Sequence, residues 1–505
     1  MESRSVEVSP GSPPGQPPPA PLSVRAARSS IWSLIGQVFQ VALGLISFAL
    51  LSRWLVPTDY GVLGMAATIS GFLGVVGDSG ITSAVTRLSE IDETAEATAF
   101  WLSILGAAVL TAIAAIAAPF LALFYKNGAI TLVSLALAAS FLLAAPMRVS
   151  SAKLSRSFRF RELTIIGMIS SSAAVTLAIL LAARGFGVWA LVAQGTVTFA
   201  LQTVMTLAVC PPKVSPRLWS RARARDLAHA GSRLSGFSLA MTVGRSLDAI
   251  LAGRFIGSAG LGLMSMGLKL VYQPVERLCG AIYSVFLPAT VELREVSRQG
   301  SAFQSAMRML MMVVAPFCLG VVAVAPEIIS LLPPKWSALT PVLRFYAATS
   351  LLLPAGYLSM SVLVAQGRVT ALFRTSLILI PISWAAAVVG ALSRSVLGMV
   401  AAWSFAIAAG ALAMLWLIWS GYDLGRGFLT AIGVPVAVGS LMGLGVRLVL
   451  NLSGFGGTRV GFLVGAISGT VLYAGLAWLA MNADLVRAGR LVAQAISRRA
   501  VRAPT

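Results

Sequence analysis

The chain repeats one pattern, Leu51-Ser-Arg53-Trp-Leu-Val-Pro-Thr-Asp-Tyr-Gly61-Val-Leu-Gly-Met65, which returns 201 residues later as Ala252-Gly-Arg254-Phe-Ile-Gly-Ser-Ala-Gly-Leu-Gly262-Leu-Met-Ser-Met266. Three pairs coincide: Arg53 with Arg254, Gly61 with Gly262, and Met65 with Met266. Internal repeats of this kind occur in many membrane transporters. We therefore predict two related halves. An even number of helices between the copies predicts that both halves run in the same sense, about an axis along the membrane normal.

Long apolar runs extend outward from the repeat over most of the chain. Hydrophobic residues make up 57% of the 505 residues and charged residues only 11%, whereas about a quarter of a soluble domain is charged. Runs of about 20 apolar residues can cross a hydrocarbon core roughly 30 Å thick. We predict an all-α polytopic membrane protein with about fourteen transmembrane helices. They are placed at about 30–52, 60–82, 97–124, 128–147, 163–183, 186–209, 235–256, 261–288, 304–331, 341–365, 371–391, 396–419, 428–450 and 459–481.

The repeat divides these helices into two pseudo-symmetric bundles of six, with two further helices after them. The predicted segments are a disordered cytoplasmic tail at 1–29, an N-terminal six-helix lobe at 30–209, a basic cytoplasmic linker at 210–234, a C-terminal six-helix lobe at 235–419, two additional helices at 420–481 and a basic cytoplasmic tail at 482–505.

Lysine and arginine are concentrated in alternate loops between the predicted helices. The chain has 38 Lys and Arg against 17 Asp and Glu, for a net charge of +21. The basic set of loops includes Lys153, Arg217 and Arg221, and the opposite set carries about one cation per loop. Loops rich in Lys and Arg stay on the cytoplasmic side. We predict a multi-pass protein of the bacterial cytoplasmic membrane with both termini in the cytoplasm.

Charged residues inside the predicted spans are the best indication of a functional site. An ionisable group at the bilayer centre costs about 2.5–3.5 kcal/mol on insertion scales, so it needs a partner or a wet cavity. In the seventh predicted helix, Arg245 and Asp248 lie three residues apart on one face. Two interpretations stay open: the pair lines a substrate-binding cavity, or the two side chains only neutralise each other.

Two other predicted helices carry matching polar faces. The eighth presents Lys269, Gln273 and Glu276 on one face, and the same two interpretations stay open for Lys269 and Glu276. In these two charged helices, Arg and Lys outnumber carboxylates, which favours an anionic substrate such as a diphosphate.

The first predicted helix has a polar stripe that includes Gln37, Gln40 and Ser47. The repeat superimposes Gln37 on Ser238 and Ser47 on Asp248, so equivalent faces are polar in both lobes. We predict that they line a shared central cavity that binds the substrate.

No arrangement of catalytic, cofactor-binding or metal-ligating residues stands out. The single histidine, His229, lies in the basic linker, and Cys210, Cys279 and Cys318 lack the spacing of ligands. There is no phosphate-binding Gly-Lys-Ser/Thr loop. No basic, aromatic-rich domain lies outside the spans to bind nucleic acid. We therefore predict no enzymatic activity, no cofactor or metal, and no nucleic-acid partner.

Several motifs resemble those of one known family, the oligosaccharide flippases of the polysaccharide type. They belong to the multidrug/oligosaccharidyl-lipid/polysaccharide exporter superfamily. The resemblance covers about residues 30–420. The motifs are Arg53-Trp-Leu-Val-Pro-Thr-Asp-Tyr-Gly61, Gly77-Asp-Ser-Gly-Ile-Thr-Ser-Ala84, Leu154-Ser-Arg-Ser-Phe-Arg-Phe-Arg161, Gly185-Phe-Gly-Val-Trp-Ala-Leu191 and Arg245-Ser-Leu-Asp-Ala-Ile-Leu-Ala-Gly-Arg254.

This resemblance implies two six-helix bundles around a central cavity, alternating access, and an undecaprenyl-diphosphate-linked oligosaccharide repeat unit as cargo for surface polysaccharide biosynthesis. Membrane lipid, a polysaccharide polymerase and a co-polymerase are the partners that it suggests. Related lipid II flippases also append two helices to the twelve. The family has no universal catalytic motif, so the candidate residues rest on the charge pattern described above.

Two other functions remain open at this point. A multidrug antiporter of the same superfamily would have the same architecture, although cationic drugs favour a cavity rich in carboxylates. A membrane glycan polymerase would need a sizeable outer loop for its active site, and the predicted outer loops are short.

Overall fold

The computed structural model describes residues 22–68, 70, 71, 74, 92–226, 246–292, 296–419 and 425–500. Nearly all of this part of the chain is helical, and it contains no strand. The predicted all-α class is confirmed. Helices suit a long apolar chain because they satisfy every backbone N–H and C=O within one segment.

The N-terminal half contains seven described helices. They are α1 (Leu22–Leu51), α2 (57–68), α3 (Glu93–Tyr125), α4 (Ala129–Ala144), α5 (Met147–Arg156), α6 (Phe160–Ala183) and α7 (Val188–Val209). Helix α1 begins at Leu22, inside the segment predicted to be a disordered tail.

The C-terminal half begins at 246 in the described part of the chain. Its elements are α8 (246–255), α9 (Gly257–Gly267), a π-helical turn (Leu268–Tyr272), α10 (Gln273–Glu292), α11 (Val296–Ser330), α12 (Leu339–Ser350), α13 (Leu353–Ala365), α14 (Val369–Leu392), α15 (Val396–Trp419), α16 (Gly425–Leu452) and α17 (Arg459–Ala500). Helix α17 thus continues through most of the segment predicted as a basic tail.

Among the described residues, ten helices are long and apolar enough to cross a membrane, and the pair α4 and α5, bent by 52°, would make an eleventh span. These match eleven of the fourteen predicted helices. The predicted helices at 60–82 and 235–256 lie partly outside the described residues. The predicted helix at 261–288 is present as α9, the π turn and α10, and it is not among the ten.

The spans place small residues inside and large apolar residues outside. In α3, Ala107, Ala114 and Ala118 are buried, while Leu123 is 75% exposed. Leu479 of α17 is 83% exposed. Lipid chains are as apolar as leucine, so helices in a membrane gain by close packing of small residues rather than by burying large ones.

The two halves meet tightly where α1 ends. The buried indole of Trp336, between α11 and α12, donates a hydrogen bond from Nε1 to the carbonyl oxygen of Ser52 (3.2 Å). Its ring packs edge-on against Phe48 (4.9 Å between centroids) and Tyr60 (5.6 Å). Beside it, Nζ of Lys335 donates to the carbonyl oxygen of Arg53 (3.2 Å). One loop of the C-terminal half therefore caps the end of the first helix.

The described part of the predicted linker packs against the N-terminal half at the start of α3. The buried carboxylate of Glu96 accepts hydrogen bonds from Nζ of Lys153 (2.7 Å) and from the backbone N–H of Lys213 (3.1 Å). Trp101 donates from Nε1 to the carbonyl oxygen of Val214 (3.0 Å), and Ser220 N–H donates to Thr98 (3.1 Å). Residues 210–226 are thus attached to the start of α3.

The last two helices are attached to α11 by a buried ion pair. Glu327, fully buried, accepts from Nη1 of Arg447 (2.8 Å) and from the backbone N–H of Gly457 (2.9 Å). Tyr473 of α17 also donates its hydroxyl to the carbonyl oxygen of Met312 (2.5 Å). The C-terminal pair therefore packs on α11 as part of the same body.

Candidate functional site

A small cleft of about 40 Å³, lined by both polar and apolar residues, lies between the two halves. Helix α1 forms one wall, and the π turn with the start of α10 forms the other. Its lining residues are Gln40, Val41, Gly44, Leu45, Lys269, Gln273, Pro274 and Arg277.

The α1 wall is held by a hydrogen bond to a neighbouring helix. Nε2 of Gln40 donates to Oγ of Ser171 in α6 (2.9 Å), which fixes the orientation of the amide. Gly44, one turn later, allows the opposite wall to come close: a Cβ added there would lie 3.8 Å from Cε of Lys269. On this wall, the neutral amide of Gln40 and the backbone of Gly44 therefore line the cleft.

The opposite wall carries the charge. Lys269, Gln273 and Arg277 follow at intervals of four residues, so they share a face. Lys269 lies inside the π turn, a local widening of the helix that often occurs at functional sites. Lys269 and Arg277 both line the cleft. No acidic residue in the described part of the chain forms an ion pair with either cation.

The acidic residue beside Arg277 has its contact outside the cleft. Glu276 does not line the cleft, and its Oε1 accepts a hydrogen bond from the hydroxyl of Tyr357 in α13 (3.2 Å). The cleft therefore has a net positive wall, suited to an anionic group such as a phosphate. Its lining contains amides and cations but no nucleophile paired with a base, so it can bind and orient rather than catalyse.

The structure brings together three of the predicted site residues, Gln40, Lys269 and Gln273. It places Gln37 half-buried and Ser47 buried on α1, and neither lines the cleft. Asp248 lies in α8 and does not line the cleft. Arg245 lies outside the described residues.

Two arginines with defined contacts in the structure are not among the predicted site residues. Arg277 lines the cleft, and its position two turns after Lys269 on the same face is the signal that identifies it. Arg447 forms the buried pair with Glu327. The two residues lie 120 positions apart, so no local pattern could have linked them.

Long apolar helices and a cationic cleft between two halves define a class, that of multi-pass membrane transport proteins. The model of a family described as polysaccharide biosynthesis protein matches residues 50–341. The match covers more than half of the chain, so the chain belongs to this family.

Solved structures of transporters share the fold. Lipid II flippase MurJ, in an inward closed conformation, superposes with a TM-score of 0.69 at 15% identity, covering 90% of this chain and 99% of that one. An inward-facing multidrug resistance MATE family transporter of the MOP superfamily gives 0.55 at 16% identity, covering 79% and 95%. At these identities the likeness concerns the fold alone.

Two similar proteins are named for biosynthesis, and one of them is named as a transport protein. The succinoglycan biosynthesis transport protein ExoT of Rhizobium meliloti (strain 1021) is 26% identical over 331 residues, 63% of this chain and 65% of ExoT. The alignment thus spans just under two thirds of that protein. The teichuronic acid biosynthesis protein TuaB of Bacillus subtilis (strain 168) is 26% identical over 342 residues, 67% of this chain and 70% of TuaB.

Proposed function

We propose that this protein is a flippase for a lipid-linked oligosaccharide in the bacterial cytoplasmic membrane, where it supplies surface polysaccharide biosynthesis. The observation that carries the proposal is the cationic cleft between two halves of a protein from the polysaccharide biosynthesis family. The cargo is an undecaprenyl-diphosphate-linked repeat unit, and alternating access of the cleft to the two membrane faces moves it.

The chemistry of the cleft suits such a cargo. A diphosphate and the hydroxyl groups of sugars would each cost several kcal/mol if they entered hydrocarbon without partners. Lys269 and Arg277 supply positive charge to the diphosphate, and Gln40 and Gln273 supply amide groups to the hydroxyls. The lipid tail stays between the halves, in contact with the bilayer. Arg245, Asp248, Glu276, Gln37 and Ser47 are proposed to act when the cleft widens around the cargo.

The proposed organisation is fourteen helices in two pseudo-symmetric lobes, 30–209 and 235–419, with the additional pair at 420–481. Contacts at the repeat support it. Gly64 of the first copy lies opposite Ser265, its own equivalent 201 residues later: a Cβ at Gly64 would lie 3.6 Å from Oγ of Ser265. Equivalent residues meet in this way near a two-fold axis that relates two halves.

Depletion of the protein provides the test. Cells that lose it are expected to accumulate intact lipid-linked oligosaccharide on the cytoplasmic leaflet while mature surface polymer disappears. The measurement is the sidedness of the glycolipid, read with a lectin or periodate reagent that cannot cross the membrane. A glycan that reaches the outer leaflet but stays unpolymerised would instead identify the protein as a polymerase. A polymerase and co-polymerase are the expected partners downstream.

A multidrug antiporter is the second candidate, because a MATE family transporter shares the fold at a TM-score of 0.55. Cationic drugs need carboxylates in the binding site, whereas both charged side chains that line this cleft are cations. Drug sensitivity of the depleted strain discriminates the two. The flippase proposal expects unchanged resistance to cationic drugs.

A further inference from the structure

The two halves touch backbone to backbone at the paired glycines of the repeat. A Cβ added to Gly61 of α2 would overlap the carbonyl oxygen of Ser258, and one added to Gly262 of α9 would overlap the carbonyl oxygen of Pro57. The Gly262 Cβ would also lie 3.1 Å from the backbone nitrogen of Gly61. We call this contact between 57–64 and 258–265 the glycine seam.

The seam is reciprocal. Pro57 and Ser258 are equivalent in the repeat, as are Gly61 and Gly262, so each glycine sits on the residue that precedes its partner by four. A self-complementary contact of this kind arises when a two-fold axis passes through it. The seam therefore lies on the pseudo-two-fold axis that relates the two halves, and moving the halves apart at this face opens it.

The position of the seam relates it to the cleft. Leu45 of α1 lines the cleft, and Leu51, the last residue of α1, lies six residues or about 9 Å further along the helix. The cleft therefore lies deeper in the helix bundle than the seam and the Trp336 contact. Tyr125, at the last residue of α3, contacts Gly253 near the seam, while the first turn of α3 holds the basic linker. A helix of 33 residues spans about 50 Å. The seam and the linker thus lie at opposite membrane faces.

We propose that the glycine seam is the outer gate of the cleft, with Trp336 as its latch. This inference rests on the proposed transport function. Closure brings two backbones together with no side chain between them, so the barrier excludes water and sugar. Opening costs the van der Waals contact of the two helices and the hydrogen bonds from Trp336 to Ser52 and from Lys335 to Arg53. A contact of this kind can be broken and remade in each cycle.

The glycines test the gate directly, because any Cβ pushes against backbone rather than against a flexible side chain. Gly61→Ala and Gly262→Ala are expected to hold the halves apart on the outer face. The reporter is Gln273→Cys in the cleft, in a background where the three native cysteines are replaced by alanine. Its labelling by a membrane-impermeant maleimide is measured in intact spheroplasts and in inverted vesicles.

The expected result is labelling from the outside at least several-fold faster in both alanine variants than in the parent. Gly106→Ala and Gly195→Ala are matched controls, because a Cβ at either position meets open space. They should label as the parent does. Unchanged outer labelling in Gly61→Ala and Gly262→Ala overturns the gate.

A second variant keeps the test decisive if the alanine variants fail to insert. Trp336→Phe retains the aromatic packing and removes only the hydrogen bond to Ser52, a loss expected to raise outer labelling by roughly threefold to tenfold. An outer labelling rate equal to that of the parent overturns the latch. Export is measured in the same seam variants with Gln273 intact, because Gln273 belongs to the proposed binding wall. Altered labelling with normal polymer export would leave the gate in place and contradict the flippase proposal; normal labelling with lost export would do the reverse.

Discussion

At the scale of single residues, the charges on the cleft wall decide what the cleft can hold. Lys269→Gln and Arg277→Gln are each expected to lower polymer export by roughly tenfold or more, since a hydrogen bond to a charged group contributes about 1.5–3 kcal/mol. Export is measured as surface polymer per cell, normalised to the amount of protein in the membrane.

A cation away from the cleft serves as the control. Arg374 is exposed on α14 and does not line the cleft, so Arg374→Gln should export normally. If Lys269→Gln and Arg277→Gln both export at the parental rate, the cleft does not bind the anionic group.

Gly44 sets the width of the same cleft. Its missing side chain faces Lys269, with 3.8 Å between an added Cβ and Cε, which is an ordinary van der Waals distance. Gly44→Ala should therefore retain export, and Gly44→Phe should abolish it by filling the space that the cargo needs. Gly106→Phe, at a position that faces open space, is the control for inserting a ring into the bundle. Equal export by Gly44→Phe and Gly106→Phe would contradict the assignment.

At the scale of elements, Glu96 attaches the linker to α3. Glu96→Gln removes the ion pair with Lys153 and weakens the hydrogen bond from Lys213. Leaving a buried polar partner unsatisfied costs about 1–3 kcal/mol, so we expect the linker to detach more often. Limited trypsin digestion at the exposed Arg217 and Arg221 measures this, and cleavage should be several-fold faster than in the parent.

An exposed ion pair gives the matched comparison. Glu162 pairs with Arg159 at 2.9 Å in the first turn of α6, with both side chains partly solvated. Surface pairs of this kind contribute about 0–1 kcal/mol. Glu162→Gln should leave the cleavage rate unchanged. A Glu96→Gln protein that resists trypsin as the parent does would show that the linker is held by other contacts.

The buried pair of Glu327 and Arg447 is the second attachment between elements. Arg447→Ala leaves a buried carboxylate with only the Gly457 N–H as a partner, and breaking a buried pair costs up to about 3–5 kcal/mol. Arg447 is 31% exposed, so water recovers part of this loss. Thermal unfolding in detergent measures the effect. The double variant Glu327→Leu, Arg447→Met should be more stable than Arg447→Ala, because it leaves no buried charge.

At the scale of the whole molecule, the distribution of cations predicts the orientation. The linker with Arg217 and Arg221 should face the cytoplasm, and the glycine seam the outside. Fusions of a periplasm-active reporter at Asp226 and at the C-terminus are expected to be inactive, while cytoplasm-active fusions at the same sites report. Activity of the periplasmic reporter at either site would reverse the orientation or change the helix count.

A structural feature could be predicted from the sequence where the evidence for it lies within one segment of the chain. Hydropathy is a property of one segment, and eleven of the fourteen predicted helices match spans of the described chain. The repeat is also visible in the sequence, since it needs only two aligned segments. The predicted helix at 261–288 is divided in the structure by the π turn around Lys269, which hydropathy does not indicate.

The sequence by itself determined the membrane class, the family and the helix faces that carry polar residues. Only the tertiary structure decided which of those faces meet: it joined Gln40 to Lys269 and Gln273, added Arg277, and left Gln37 and Ser47 outside the cleft. It also paired Glu327 with Arg447 and set Gly61 against Gly262. The physical reason is that hydropathy and periodicity act along one helix, whereas contacts between distant helices depend on how closely their backbones can pack.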